Sequence, residues 1–194
     1  MPLSLLRRVN AAALIMSAAT LVAGAQTLGT PERYTATAVN ESGRGTTPIQ
    51  IAVDRWSTDK ERDALVSTLL DQGADKLLAV LQDTPKVGFI SSSAGGLGWD
   101  LHYARKTMLP DGGEQVILAT DRPLGYWEES RQLRTVDYPF TIIELRIAPN
   151  GEGEGKLSLA TKIIANKESG TIVLEDYGTQ PVLLMAVKKE NRTT

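Results

Sequence analysis

The sequence predicts an α+β fold, mainly β: one antiparallel barrel or strongly curved sheet with a two-helix insertion after its second strand. Three observations predict it. Apolar residues recur at period two through about nine short segments, the pattern of strands with one buried face. Clusters of Gly, Pro, Asp and Asn separate those segments at hairpin spacing. Only the stretch 58–83 shows helical spacing, and it interrupts the strands early.

Residues 1–25 stand outside that fold and read as an export leader. Arg7 and Arg8 form a basic start, AAALIMSAATLVA (11–23) an apolar core, and Ala23-Gly24-Ala25 a small-residue cleavage site. The apolar run is shorter than the ~20 residues a spanning helix needs. Cleavage is expected after Ala25, which takes 25 of 194 residues and leaves a β-rich domain of 169, residues 26–194. The leader carries two of the 21 basic residues and none of the 23 acidic ones, so 19 remain against 23 and the net charge is −4. A mildly acidic chain argues against nucleic acid or anionic membrane as the main partner. No later segment is apolar enough to span a membrane. Cysteine is absent, which excludes disulfides, thiol catalysis and cysteine metal sites. The expected location is periplasmic or secreted.

The elements then follow in order. Residues 26–32 read as a loose arm. Tyr34, Ala36 and Ala38 alternate with Thr35, Thr37 and Val39 in a first strand over 33–41, and Ser42–Pro48 reads as a turn. Ile49, Ile51 and Val53 mark a second strand that stops at Trp56. Thr58 and Glu61 form a capping box, with Asp59 and Glu61 placing negative charge at the helix start. Ala64, Leu65, Leu69 and Leu70 give an apolar stripe, and Gly73 suits a left-handed end. A second short helix carries Leu77, Leu78 and Leu81 and ends before Thr84, which Pro85 pushes toward extended geometry. Both stripes need cover, from each other, from a sheet face or from a barrel end.

Residues 86–92 form a short strand and Ser91–Gly98 a Ser/Gly connection. Strands over 99–108 and 114–120 form a hairpin around LPDGGE. Residues 121–138 show no periodicity, and a loop of that length in a compact domain is often functional. Residues 140–147 form a clear strand, and NGEGEG (150–155) reads as a turn. Strands over 156–165, 171–177 and 182–188 read as a closing meander, and the tail Lys188–Arg192 as a solvated end.

The early helix pair in a β-rich chain resembles the element order of fatty-acid-binding and lipocalin-like proteins, which implies a barrel around a small apolar ligand. None of their signature residues is matched, so no site carries over. The runs AVDRWSTDKER (52–62), LATDRP (118–123) and DYPFTIIELR (137–146) are similar to uncharacterised exported bacterial proteins, which implies export and no known activity.

Catalytic signals are sparse. His102 is the sole histidine, in WDLHYARK, where alternation puts it on a face with Asp100 and Ala104. No nucleophile motif accompanies it, and one histidine cannot build a His-rich metal site. NGEGEG lacks the acidic ladder of a calcium loop. Gly96-Leu97-Gly98 precedes a strand, where a phosphate loop would precede a helix. The sequence therefore implies no metal and no cofactor. Candidate ligand-binding residues are Tyr126, Trp127 and Arg131 in the long loop, where amphipathic rings suit a lid or a docking point, and Glu144 and Arg146 on the strand face of Phe140 and Ile142. Asp54 and Arg55 beside Trp56 read either as a solvated strand end or as a polar spot.

Three functions are compatible with these residues. The leading expectation is an exported, non-enzymatic module holding a small apolar or amphipathic molecule between the sheet and the helix pair. The alternative is an extracytoplasmic interaction or assembly protein with a filled core and a contact loop at 121–138. A hydrolase built on His102 and Asp100 is the third. A contiguous apolar cavity favours the first, and a packed interior favours the second. Oligomeric state is not legible.

Overall fold

Tyr34, Ala36 and Ala38 turn inward on a first strand, β1 (Glu32–Val39), and pair along its full length with β2 (Thr46–Val53), from Glu32 opposite Val53 to Val39 opposite Thr46. The computed structural model describes residues 29–39, 46–73, 76–92, 98–122, 140–159, 163–166, 171–174 and 182–190. The expected leader, most of the long loop and the last four residues lie outside them. The remaining elements are α1 (Asp59–Gln72), α2 (Leu77–Asp83), β3 (Gly88–Ser92), β4 (Trp99–Met108), β5 (Glu114–Thr120), β6 (Thr141–Ile147), β7 (Glu152–Leu159), β8 (Ile163–Asn166), β9 (Thr171–Leu174) and β10 (Val182–Lys189). Eight strands close an antiparallel barrel in the order β1-β10-β7-β6-β5-β4-β3-β2, while β8 and β9 pair apart from it. The predicted α+β, mainly β fold is therefore a closed barrel, with the helices after the second strand as expected.

An eight-stranded barrel has an interior about wide enough for its own side chains. Here Leu101, Leu118, Ile143, Leu145 and Leu157 are fully buried inside it and Ile49, Ile51 and Ile90 expose 1%. A void that admitted water would leave accessible surface on these side chains, so the described interior is filled.

The helices do not close a barrel end; they sheathe one wall. Leu69, Leu77 and Leu81 pack with Tyr103, Ala119 and Phe140, with Ile117 and Ile142 at the margin, all on the outer side of β4–β6. The capping box forms as the sequence predicts. The Glu61 amide donates to Thr58 Oγ1 at 3.2 Å, and the Thr58 amide donates to Glu61 Oε2 at 2.7 Å. Gly73 ends α1 at φ 90°, where a side chain would be strained. The buried stripe differs in one residue: Ala64 is exposed and Thr68 is buried beside Leu69.

Four further expectations are corrected. The last three strands are not a meander: β10 skips β8 and β9, pairs with β7 and then with β1, and so closes the barrel. The expected strand 156–165 belongs to two sheets: β7, through Leu159, lies in the barrel, and β8, from Ile163, pairs with β9. The turn after β6 is over by Gly151, and GEGEG enters β7. Gly153 and Gly155 occupy its inward positions, where a Cβ at Gly153 would lie 1.9 Å from the Arg146 carbonyl oxygen and one at Gly155 2.7 Å from Leu145 Cδ2. Glycine lets the β7 backbone approach β6 where no Cβ would fit, while Glu152 and Glu154 face out. Finally, the pairing of β4 with β5 shifts register between Leu101 and Tyr103. This bulge leaves Leu101 and Ala104 inside and turns Tyr103 toward the helices, so His102 does not share a face with Ala104.

Candidate functional site

Two features of the barrel concentrate charge. The first is its mouth where β1 begins and β2 ends. Glu32, Lys106, Glu114 and Lys189 sit at inward positions of β1, β4, β5 and β10, so they meet across the opening from opposite walls. Lys106 Nζ lies 2.7 Å from Glu32 Oε1 and 3.5 Å from Glu114 Oε1. Lys189 Nζ lies 3.2 Å from Glu32 Oε1 and 2.8 Å from Glu114 Oε2. The buried Tyr34 hydroxyl donates to Glu32 Oε2 at 2.5 Å. Burial pushes the Glu32 carboxyl up, but hydrogen bonds from Lys106 and Tyr34 and the two ammonium charges outweigh it and hold the group below its ordinary value. Burial likewise pulls Lys189 down, and its bonds and charge contacts with Glu114 and Glu32 raise it above its ordinary value. The Tyr34 phenol is raised by burial and then by Glu32, so it stays a donor. Trp56 lies beneath, with Lys106 Nζ 5.1 Å from its ring centre and its indole N–H donating to the Thr30 carbonyl at 3.3 Å. Two lysines, two glutamates and one phenol satisfy one another. The cluster is an ionic lock on the barrel mouth.

The second feature is a groove of about 520 Å³ on the outer wall, over β5, β6, β7 and β10. Leu109, Leu183 and Met185 supply apolar walls, and Gln115, Glu144, Arg146, Glu154 and Lys156 supply polar ones. Glu144 is buried and committed: Gln115 Nε2 donates to it at 2.8 Å and Lys156 Nζ lies 3.2 Å away. Arg146 and Glu154, the next register pair of β6 and β7, are exposed and make no hydrogen bond or ion pair among the described residues. The rim comes from β10, whose register shifts between Leu184 and Val187 on both neighbours. The extra residue puts Met185 and Ala186 both outward, with Ala186 at φ 51° in the left-handed region. Leu183 and Met185 are consequently 46% and 47% exposed.

No protein-family model, curated protein or solved structure matches the chain.

Of the candidate residues read from the sequence, Glu144 and Arg146 line the groove on the outer face, in line with Phe140 and Ile142 as the alternation predicts. Tyr126, Trp127 and Arg131 lie outside the described residues. His102 Nδ1 is 2.7 Å from the Thr84 carbonyl oxygen at the end of α2, and its Nε2 is 3.9 Å from Asp121 Oδ2. Asp100, the partner expected for a hydrolase, instead pairs with Lys86 at 2.5 Å. Arg55 is structural: its fork holds both Glu61 oxygens at 2.9 and 3.0 Å and also donates to Pro85. Asp54 pairs with Arg33 on the surface. Lys189 corrects the reading of the tail as a solvated end, because its strand position turns it into the lock. Among the described residues no group of His, Asp and Glu is placed to hold a metal, and no helix is long and apolar enough to cross a membrane.

Proposed function

We propose that the protein is an exported, non-enzymatic interaction module that works through the outer wall of its barrel. The observation that carries this reading is the filled interior. Fatty-acid-binding and lipocalin-like proteins, whose element order the sequence resembles, would use the lumen. Here Leu118, Ile143, Leu145 and Leu157 fill that space and the ionic lock spans one mouth. The space between the wall and the helices, the other place for a ligand, holds Leu69, Leu81, Tyr103 and Phe140. Among the described residues the outer groove remains available, where exposed Leu and Met side chains adjoin charges that no described neighbour satisfies. Export is supported by the composition of residues 1–25.

Site-specific photocrosslinking tests the reading. A photoreactive amino acid replaces Met185 in one variant and the exposed helix residue Lys60 in another, each expressed in a secreting host. The expected result is a discrete adduct from position 185 and none from position 60. No adduct at 185, or the same adducts from both positions, refutes it. A second reading, an amphipathic small molecule seated in the groove, is favoured by the groove's volume, which lies within the range of about 300–1,000 Å³ typical of small-molecule sites. It predicts a small-mass adduct at 185 in place of a protein-sized one.

A further inference from the structure

We propose that the partner of the outer groove is a second copy of this chain, docked by a two-fold axis. The inference rests on the outer-wall reading above and names its partner. Its first support is the behaviour of two adjacent charge pairs. Glu144 and Lys156 face each other across β6 and β7 and close at 3.2 Å. Arg146 and Glu154 face each other one step further along the same strands and do not come within ion-pair distance. Among the described residues the open pair thus presents an unpaired cation beside an unpaired anion. A polyanionic partner would meet Glu154, and a polycationic one would meet Arg146. A two-fold copy meets both correctly, because the axis brings Arg146 of each copy to Glu154 of the other. Self-complementarity of this kind is what an isologous interface requires.

Shape gives the second support. The β10 bulge raises Leu183 and Met185 as a ridge beside the groove they help to line. A two-fold operation sets the ridge of each copy into the groove of the other. The exchanged Arg146–Glu154 pairs then lie at the axis, and the exposed Leu183 and Met185 of each copy flank them against the apolar wall of the other copy's groove.

Sedimentation of the exported protein, from micromolar to submillimolar concentration, tests this with charge reversals. Wild type should show a concentration-dependent monomer–dimer equilibrium. Arg146→Glu and Glu154→Arg should each weaken it by more than about tenfold, since each puts like charges in contact across the axis. The double variant Arg146→Glu/Glu154→Arg should recover dimerisation, because swapping both charges restores both pairs. Met185→Glu should abolish it. All three positions substituted are surface positions, and a thermal melt of each variant checks that it folds. A monomer at every concentration overturns the proposal, as does a dimer indifferent to the single reversals or one that the double variant fails to restore. If wild type is monomeric while position 185 still crosslinks to a different protein, the dimer falls and the outer-wall reading stands. If wild type is monomeric and position 185 crosslinks to nothing, both fall.

Discussion

Replacing Glu32 by Gln tests the ionic lock with little change of shape. The amide still accepts from Tyr34, but the carboxylate charge is gone and two ammonium groups then share Glu114 alone. Removing one partner of a fully buried pair costs about 3–5 kcal/mol, and an exposed pair is worth about 0–1 kcal/mol. The Glu32 side chain is 11% exposed, but Lys106 and Lys189 are 28% and 26% exposed and regain some water. The expected cost therefore lies between these limits, roughly 2–3 kcal/mol. In a domain of this size that lowers the melting midpoint by roughly 4–12 °C. Glu152→Gln is the control, because Glu152 sits at the same barrel end on the outer face, 3.7 Å from Lys188, with both side chains more than 60% exposed. It should change the midpoint by less than about 2 °C. The pH dependence carries a sign. Glu32 has a folded-state pKa below its ordinary 4.5, so its contribution is present above that value and lost as pH falls through the folded value. Lys189 is raised above its ordinary 10.5, so its contribution is present below that value and lost as pH rises through the folded value. The gap between wild type and Glu32→Gln should hold at neutral pH and close in acid. Equal midpoints for Glu32→Gln and Glu152→Gln in thermal denaturation would refute the lock.

Three further outcomes are expected. Leu118→Ala should cost about 3–5 kcal/mol in denaturant titration, because Leu118 is fully buried in a filled barrel; a neutral result would mean the interior has slack. Thr58→Ala should cost about 1 kcal/mol by the same measurement, through loss of the cap on the Glu61 amide. Mass spectrometry of protein recovered outside the cytoplasm should show a chain beginning at Gln26, and an intact Met1 there would contradict the cleavage expected after Ala25.

Local signals carried the parts of the fold that local chemistry decides. The capping box at Thr58 and Glu61, the glycine end of α1, the β4–β5 hairpin and the alternation of Phe140, Ile142, Glu144 and Arg146 could all be read along the chain. What escaped depends on pairing between distant segments. Hydrophobic alternation in 156–188 marks strands, but nothing in it says that β10 bypasses β8 and β9 to reach β7 and β1. The bulges at His102 and Met185 shift the alternation by one residue, and period-two reading has no means of detecting such an insertion. The lock was hidden for a related reason. Glu32, Lys106, Glu114 and Lys189 lie at strand ends, where charge ordinarily means solvent, and Glu32 and Glu114 are 82 positions apart in the sequence. Their inward parity relative to Tyr34, Ala104, Val116 and Val187 was the available signal, and it has meaning only once the barrel is known to close. GEGEG reads as a turn because glycine marks turns more often than it marks a strand in close backbone contact with its neighbour.

The claim that the interior is closed and the outer wall does the binding is tested most directly by methyl NMR with octanoate as an apolar probe. The account predicts no contacts or shift changes at the methyl groups of Leu118, Leu145 and Leu157, with any perturbation confined to Leu183 and Met185. Octanoate contacts to the methyl groups of Leu118, Leu145 or Leu157 would place a ligand inside the barrel and contradict it.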